Sequence, residues 1–138
     1  MIWPGLRRGP RISGESMPTV SVPISAIVGS GICVAASDGQ RVYAAIQPIV
    51  ARGDRAELSF SGITRMTTAF LNAAVGQLYG EFSETYIRRH LAPPVDAESW
   101  HLARLQLVVD RAKEFFKDQK KVQSAFQAST GIDDDKDL

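Results

Sequence analysis

Two adjacent threonines, Thr67 and Thr68, are the residues of this sequence whose side chains are best placed to take part in chemistry. They lie in the segment SGITRMTTAF, residues 61–70, between a stretch typical of a buried strand and a stretch typical of a helix. A hydroxyl at the N-cap of a helix accepts a hydrogen bond from a free backbone amide. The same helix end favours negative charge, so a phosphate on one hydroxyl would be tolerated there, with Arg65 close enough to screen it. The pair therefore predicts either a helix cap or a phosphorylation switch.

The other reactive side chains form no catalytic or metal-binding pattern. His90 and His101 have no cysteine or paired acid at metal-ligand spacing, so we expect surface or partly buried histidines and no metal or other cofactor. Cys33 lies among apolar residues and is expected to be a buried structural thiol. The glycines of residues 29–31 lack the remaining spacing of a dinucleotide loop. The sequence therefore predicts a protein that is not an enzyme; an enzyme acting on a phosphorylated ligand at the threonine pair would lack a general base.

Bulk composition narrows the class further. With 138 residues, 44% of them hydrophobic, the chain fits one domain with a single core. A formal net charge of +1 argues against direct nucleic-acid binding, which needs a concentrated basic face. No apolar stretch approaches the roughly 20 residues that cross a bilayer, and a single cysteine fits a reducing compartment. We therefore expect a cytoplasmic protein without membrane association.

Composition also divides the chain into three parts. Residues 1–16 combine glycine, proline and arginine without an apolar period, which is typical of a disordered extension or of an artefact of the translation start or of cloning. Residues 132–138 form an acidic tail that we expect to be disordered. The folded domain is predicted over residues 17–131.

The first half of the domain has the pattern of a strand followed by a helix. Residues 19–28 contain alternating β-branched residues, and Pro23 favours an edge position for that strand. Ser37 is the predicted N-cap of the helix, and Gly53 is its predicted stop. Pro48 is expected to kink or shorten this helix, because proline removes an amide donor and crowds the preceding turn.

The second half predicts a strand over residues 55–60 and a helix over residues 67–82. The prolines at 93–94 permit at most an edge strand. The longest helical signal covers residues 96–118, and a separate short helix is predicted over residues 121–128. The buried face predicted for the long helix comprises Trp100, Ala103, Leu107, Val108, Ala112, Phe115 and Phe116. Strands that alternate with helices predict an α/β layered fold.

The segment ELSFSGITRMTTAFLNAAVGQLYGEF, residues 57–82, resembles the central signature of the bacterial STAS-like family of unknown function. That signature is a strand, a turn F-x-G-[IV], a hydroxyl pair before a phenylalanine, and a helix ending in G-x-L. The matching residues are Phe60, Gly62, Ile63, Thr67, Thr68, Phe70, Gly76 and Leu78. Residues 97–118 are more weakly similar to the closing helix of that family. The resemblance implies one α/β domain, a small mixed sheet with helices packed mainly on one side.

The STAS-like family is similar in turn to the anti-sigma-factor antagonists. In those proteins a serine at the start of a helix is phosphorylated by a histidine-kinase-like ATPase. When the antagonist pattern S-G-[VI]-x-x-[MI]-D-S-S-G is laid on residues 61–70, Thr68 occupies the phosphorylated position and Thr67 replaces the aspartate. Ala69 and Phe70 replace the second serine and the glycine. The resemblance therefore implies Thr68 as the switch residue.

These observations predict a non-enzymatic regulatory or protein-interaction module. Its expected interaction residues are Gly62, Arg65, Thr67, Thr68 and Phe70. The implied partner is a histidine-kinase-like ATPase or another bacterial regulator, and a homo-oligomer is compatible with the sequence. The alternative is an accessory or scaffold subunit of a larger bacterial complex, such as a phage-defence or mobile-element system, in which the threonines only cap a helix.

Overall fold

The computed structural model describes the backbone of residues 17–130 and the side chains of residues 17–119. The predicted extension of residues 1–16 and the predicted tail of residues 132–138 lie outside this part of the chain. The elements in chain order are β1 (Thr19–Pro23), α1 (Ile24–Val28), β2 (Ile32–Cys33), α2 (Ala36–Ala51), β3 (Arg55–Ser59), β4 (Arg65–Met66), α3 (Thr68–Leu71), a π-helix (Asn72–Gly76), α4 (Leu78–Glu81), α5 (Glu84–His90) and α6 (Ser99–Thr130).

The architecture confirms the predicted α/β class, with two small parallel sheets. β1 pairs with β3 along its whole length, and β2 pairs with β4. β3 also forms isolated parallel bridges to Leu91 and Val95. β1 thus lies at the edge of its sheet, as Pro23 predicted, and the segment with two prolines contributes only isolated bridges.

The strand predicted over residues 19–28 is too long. β1 ends at Pro23, and a short helix, α1, follows it. Proline has no amide to continue the strand ladder, and its φ of −79° suits the start of a helix. Gly29, with φ 85°, ends α1 in the left-handed region. Ile24 is still buried, so its place in the apolar pattern reflects contact with the core rather than a strand.

Helix α2 differs from its prediction at the start and in its final turn. Ser37 is not the N-cap, because the helix already begins at Ala36 and has no side-chain cap. Asp38 lies in the first turn, as predicted. Pro48 does not cut the helix short, since its fixed φ is helical and the buried side chains of the helix hold the last turn in place. Gly53 follows the helix with φ 90°, which confirms the predicted stop.

The helix predicted over residues 67–82 is interrupted by a π-helix. The Gln77 amide donates to the Asn72 carbonyl at 3.2 Å, which is a bond across five residues. The Gln77 side chain donates to the Ala73 carbonyl at 2.6 Å and satisfies a second acceptor of the widened turn. π-helical turns inside helices are found mainly at functional sites. This one joins α3, which carries the threonine pair, to α4.

α6 is one helix where the sequence predicted two. Among the side chains described for this helix, His101, Val108 and Ala112 are buried, whereas Leu107 and Phe115 are 42% and 59% exposed. The predicted buried face was therefore wrong in part, because α6 packs on α3, the π-helix and α4 along a narrower stripe. None of the helices in the described part of the chain has the length and apolarity of a membrane span.

The core lies between α2, the π-helix and the strands. Both histidines are buried, His90 at 7% and His101 at 1% exposure, so the expectation of surface or partly buried histidines was wrong. Cys33 is fully buried, as predicted. The largest fully buried apolar side chains are Phe60, Phe70, Ile24, Ile46, Leu58, Met66, Leu71, Leu78, Ile87, Val22 and Val42.

Candidate functional site

Thr67 is the N-cap of α3, and both capacities of its hydroxyl are used. The oxygen accepts a hydrogen bond from the Phe70 amide at 3.1 Å. The hydroxyl donates to the Val34 carbonyl at 2.7 Å. The Thr67 amide also donates to the Cys33 carbonyl at 3.1 Å. Thr67 therefore joins the end of β2 to the start of α3, and the cap prediction is confirmed at this residue.

Thr68 is the first residue of α3 and has a different environment. Its side chain is half-buried, and within the described part of the chain its hydroxyl makes no hydrogen bond. The sequence left open which threonine is the cap. The structure assigns that role to Thr67 and leaves the hydroxyl of the half-buried Thr68 without a hydrogen-bond partner among the described residues.

The outer face of β2 and β4 extends this surface. Ile32 pairs with Arg65, and Cys33 pairs with Met66. Because side chains alternate between the two faces of a strand, Cys33 and Met66 enter the core while Ile32 is 54% exposed. Arg65 is also exposed, and it forms no ion pair with the residues described here. Its charge faces solvent beside an apolar side chain.

Val34 adds a second exposed apolar side chain, which is 39% accessible. Its carbonyl accepts the hydrogen bond from the Thr67 hydroxyl. We name the set formed by Ile32, Val34, Arg65 and Thr68 the β2–β4 surface. The sequence did not identify its two apolar members. Residues 32–34 are all apolar, so the sequence does not show which of them are exposed and which is buried.

Gly62 shapes the turn before β4 rather than supplying a side chain. Its φ of 79° lies in the left-handed region, where glycine is favoured. Its carbonyl packs so closely on Gly31 that a Cβ atom at Gly31 would lie 2.1 Å from the oxygen. The Gly31 carbonyl accepts the amides of Thr64 at 2.9 Å and Arg65 at 3.2 Å. The two glycine turns thus fix β4 beside β2.

Phe70 was predicted as an interaction residue, but its side chain is fully buried. Its ring belongs to the core and is not available to a partner, so this prediction needs correction. A Cβ atom at Gly39 of α2 would lie 2.3 Å from the Phe70 carbonyl, which shows how closely α2 approaches α3. Phe70 therefore positions the start of α3.

α6 binds the same loop through His101, which the sequence did not single out as a functional residue. The Nδ1 atom of His101 accepts the Glu98 amide at 2.9 Å, so the ring nitrogen takes the place that a glutamate has in a capping box. The Nε2 atom then carries the proton and donates to the Ile63 carbonyl at 3.0 Å. The ring also packs on Trp100 and Phe60, with centroids 4.1 Å and 5.3 Å apart.

Arg104 makes the second contact between α6 and the loop. Its guanidinium donates to the Met66 carbonyl and lies 5.6 Å from the centroid of the Trp100 ring. The spacing of Trp100 and Arg104 is visible in the sequence. The bonds to Ile63 and Met66 join residues 38 positions apart, and no local pattern predicts them.

Cys33 lies beneath this surface and is fully buried. Burial raises the pKa of the Cys33 thiol, and the nearby Asp38 carboxylate adds to the effect. The described residues contain no group of three histidine, cysteine or acidic side chains placed to hold a metal ion. What the site offers is a surface: exposed apolar side chains, a cation and a hydroxyl, all on a backbone held by hydrogen bonds.

A short parallel sheet followed by a hydroxyl-bearing helix start defines a STAS-like α/β domain. Residues 38–93 match the family described as "STAS-like domain of unknown function (DUF4325)", as the resemblance predicted. The match runs from α2 to the segment after α5 and includes the threonine pair. The predicted similarity of residues 97–118 lies outside it and stays a prediction. No curated protein and no solved structure matches the chain.

Proposed function

We propose that the chain is a non-enzymatic regulatory or protein-interaction module that binds a protein partner through the β2–β4 surface. The observation that carries the proposal is the difference between the two threonines. The hydroxyl of Thr67 forms hydrogen bonds with the Val34 carbonyl and the Phe70 amide. Thr68, one residue later, is half-buried, and its hydroxyl forms no hydrogen bond with the described residues. A residue needed only as a cap would not require a second hydroxyl beside it.

The composition of the surface suits a protein partner. Ile32 and Val34 offer apolar area to a complementary side chain, and Arg65 offers a charge-assisted hydrogen bond. The backbone beneath them is already ordered by the bonds to Gly31, Cys33 and α6, so binding costs little conformational entropy. Such a rigid loop presented by a scaffold is typical of interaction sites.

Phosphorylation of Thr68 is the proposed switch. A phosphate adds a charge of about −1.5 to −2 and three acceptor oxygens. A phosphate there would add negative charge three residues after Arg65, so one modification would change the charge of an apolar, cationic surface. The resemblance to the antagonists suggests a histidine-kinase-like ATPase or another bacterial regulator as the partner.

The modification is tested by mass spectrometry of the chain purified from its own host. Trypsin releases residues 66–88 as one peptide, which contains Thr67, Thr68, Ser83 and Thr85. We expect fragment ions that place the phosphate on Thr68. A phosphate on Thr67 would contradict the proposal, because that hydroxyl is engaged in the cap. An unmodified peptide under every growth condition would leave docking alone as the mechanism.

Partner binding is tested by affinity purification with wild type, Thr68→Glu and Thr85→Glu. Thr85 is an exposed threonine on α5 and provides a matched control for the added charge. We expect Thr68→Glu to lose or exchange the partner that wild type and Thr85→Glu retain. Recovery of no partner by any of the three would end the proposal. A nuclease or helicase as the partner would favour the alternative, an accessory subunit of a phage-defence or mobile-element complex.

A further inference from the structure

A cavity of about 420 Å³ lies between the π-helix and α6. Its volume is in the range of sites that hold small molecules, roughly 300–1,000 Å³. None of the residues described in its lining belongs to the β2–β4 surface. We name it the π-helix cavity; its lining includes Asn72, Gly76 and Gln77 on the side of the π-helix and Arg111, Phe115 and Phe116 on the side of α6.

The π-helix brings a polar side chain to this cavity. A Cβ atom on Gly76 would lie 3.6 Å from Val108 and 3.8 Å from Ala112, so the π-helix and α6 are in close contact at this point. The same Cβ atom would lie 3.3 Å from the Oδ1 atom of Asn72, whose side chain therefore lies beside Gly76. Within the described part of the chain, the Asn72 side-chain amide has no hydrogen-bond partner. It can donate to a ligand in the cavity.

Two phenylalanine rings of α6 provide the apolar wall. The ring centroids of Phe115 and Phe116 are 4.9 Å apart, and the ring planes meet at 83°. Phe116 packs directly on α4, because a Cβ atom on Gly80 would lie 2.5 Å from its ring. Phe115 is 59% exposed and extends the wall toward solvent. A planar aromatic ring that enters this corner contacts the face of one phenylalanine and the edge of the other, and both arrangements are favourable.

Arg111 is the one charged residue among the described residues that line the cavity. Three acids, Asp110, Glu114 and Asp118, share a different cavity with Arg111 and Phe115. None of them forms an ion pair with Arg111, which takes part in no salt bridge of the described residues. A guanidinium group binds a carboxylate through two parallel hydrogen bonds. The cavity therefore combines an aromatic wall with a cation that the described residues do not neutralise.

The neighbouring cavity, which shares only Phe116 with this one among the described residues, has a different character. Its volume is about 480 Å³, and its lining includes two acids and two lysines, Glu81, Glu84, Lys113 and Lys117. Lys113 and Glu84 are paired within the chain at 3.3 Å. Charges of both signs are thus balanced there, so only the π-helix cavity selects for an anion.

We propose that the π-helix cavity binds a small aromatic carboxylate. The ring of the ligand packs in the corner of Phe115 and Phe116, and its carboxylate pairs with Arg111. One helical turn, about 6 Å along the axis, separates Arg111 from Phe115, so a ring and a carboxylate joined by one or two carbon atoms reach both. The Asn72 amide is a further donor. The proposal is independent of the function proposed for the β2–β4 surface.

Binding is tested by nuclear magnetic resonance on the full chain labelled with nitrogen-15. The probes are naphthalene-1-acetate and its neutral analogue naphthalene-1-acetamide, which has nearly the same shape. We expect the acetate to shift the backbone amide signals of Gly76 and Gln77 and the side-chain signals of Asn72 and Arg111. The acetamide should bind about threefold more weakly, because it forms no ion pair with the exposed arginine.

Variants separate the charge from the aromatic wall. Arg111→Gln should weaken binding of the acetate about threefold and leave binding of the acetamide unchanged. Phe115→Ala should weaken both probes alike, by about tenfold. Arg89→Gln is the matched control, because Arg89 is an exposed arginine of α5 that does not line the cavity. Arg111 and Phe115 are exposed, so the variants should keep the dispersed spectrum of the folded chain.

Several results would contradict the proposal. Equal affinities of wild type for the two probes would overturn it, since the cation would then play no part. Signals that shift around Tyr79 and Lys113 would place the probe in the neighbouring cavity. The absence of any shift up to the solubility limit of the acetate would overturn it as well. An equal loss of acetate binding in Arg89→Gln would mean that the net charge of the chain, and not this site, attracts the probe.

Discussion

The strand–helix junction of residues 61–71 and the exposed side of α6 differ in how the chain holds them. Backbone groups of the junction are bonded to Gly31 and Cys33 on one side and to His101 and Arg104 on the other, and the Thr67 hydroxyl is bonded to Val34. The exposed side of α6, which carries Leu107 and Phe115, has no comparable bonds within the described residues. A surface that is already ordered can bind at little entropic cost, whereas an apolar helix face without neighbours is stabilised only by another molecule. The two regions therefore suggest two kinds of association.

The largest effect is expected where two backbones meet in the junction. Gly31→Ala would place a Cβ atom 2.1 Å from the Gly62 carbonyl and should lower the free energy of unfolding by about 3 kcal/mol. Urea denaturation measures it. Gly53→Ala is the control, because Gly53 has a φ of 90° and open space around it. This variant should lose only about 1 kcal/mol, from backbone strain without a steric clash. Equal losses would mean that the two glycine turns do not pack as described.

His101→Ala tests the contact between α6 and the junction. The change removes the acceptor for Glu98 and the donor for Ile63 in a buried site, and an unsatisfied buried group costs about 2 kcal/mol. The free energy of unfolding is again the quantity measured. Leu102→Ala, on an exposed neighbour of the same helix, should cost less than about 0.5 kcal/mol. A His101 variant as stable as the Leu102 variant would show that α6 does not hold the loop.

The two threonines can be compared directly. Thr67→Val removes the cap and the bond to Val34 and should lower the free energy of unfolding by about 1.5 kcal/mol. Thr68→Val removes a hydroxyl without an intramolecular partner and should change it by less than about 0.5 kcal/mol. Valine keeps the shape of the side chain in both variants, so the difference measures the hydroxyl. Equal values for the two would remove the distinction on which the proposed function rests.

The smallest effect concerns the thiol beneath the junction. Burial raises the pKa of Cys33 above its ordinary value of 9.0. The unfolded chain therefore loses this proton first, so the stability that the protonated thiol contributes is complete below about pH 9 and is lost as the pH rises through the raised pKa. Wild type should lose stability more steeply above that pH than Cys33→Ala, in which every other titrating group is unchanged. Parallel curves would mean that the thiol is hydrated.

Local chemistry explains which parts of the fold and the site could be predicted. Capping involves residues three apart, so a cap within the threonine pair and the turn at Gly62 are visible in the sequence. The same holds for β3, α2 and the segment with two prolines. The junction signature carried the family resemblance because the turn and the helix cap lie close together in the chain.

The parts that could not be predicted depend on distant neighbours. The spacing of apolar residues identifies a wide apolar face on a helix, but only the tertiary contacts decide which part of that face is buried. Leu107 and Phe115 were therefore assigned to the core although both are exposed. The exposure of Ile32 depends on its pairing with Arg65, and the role of His101 depends on a carbonyl 38 residues away. No spacing along the chain encodes these contacts.

The bonds from His101 and Arg104 to the loop also have a mechanical consequence. They attach the carbonyls of Ile63 and Met66 to the first turns of α6, a helix of 32 residues. The start of α6 is thereby fixed to the residues just before the threonine pair, while the rest of the helix extends away from them. A displacement of the start of α6 would therefore be transmitted directly to Ile63 and to Met66 of β4.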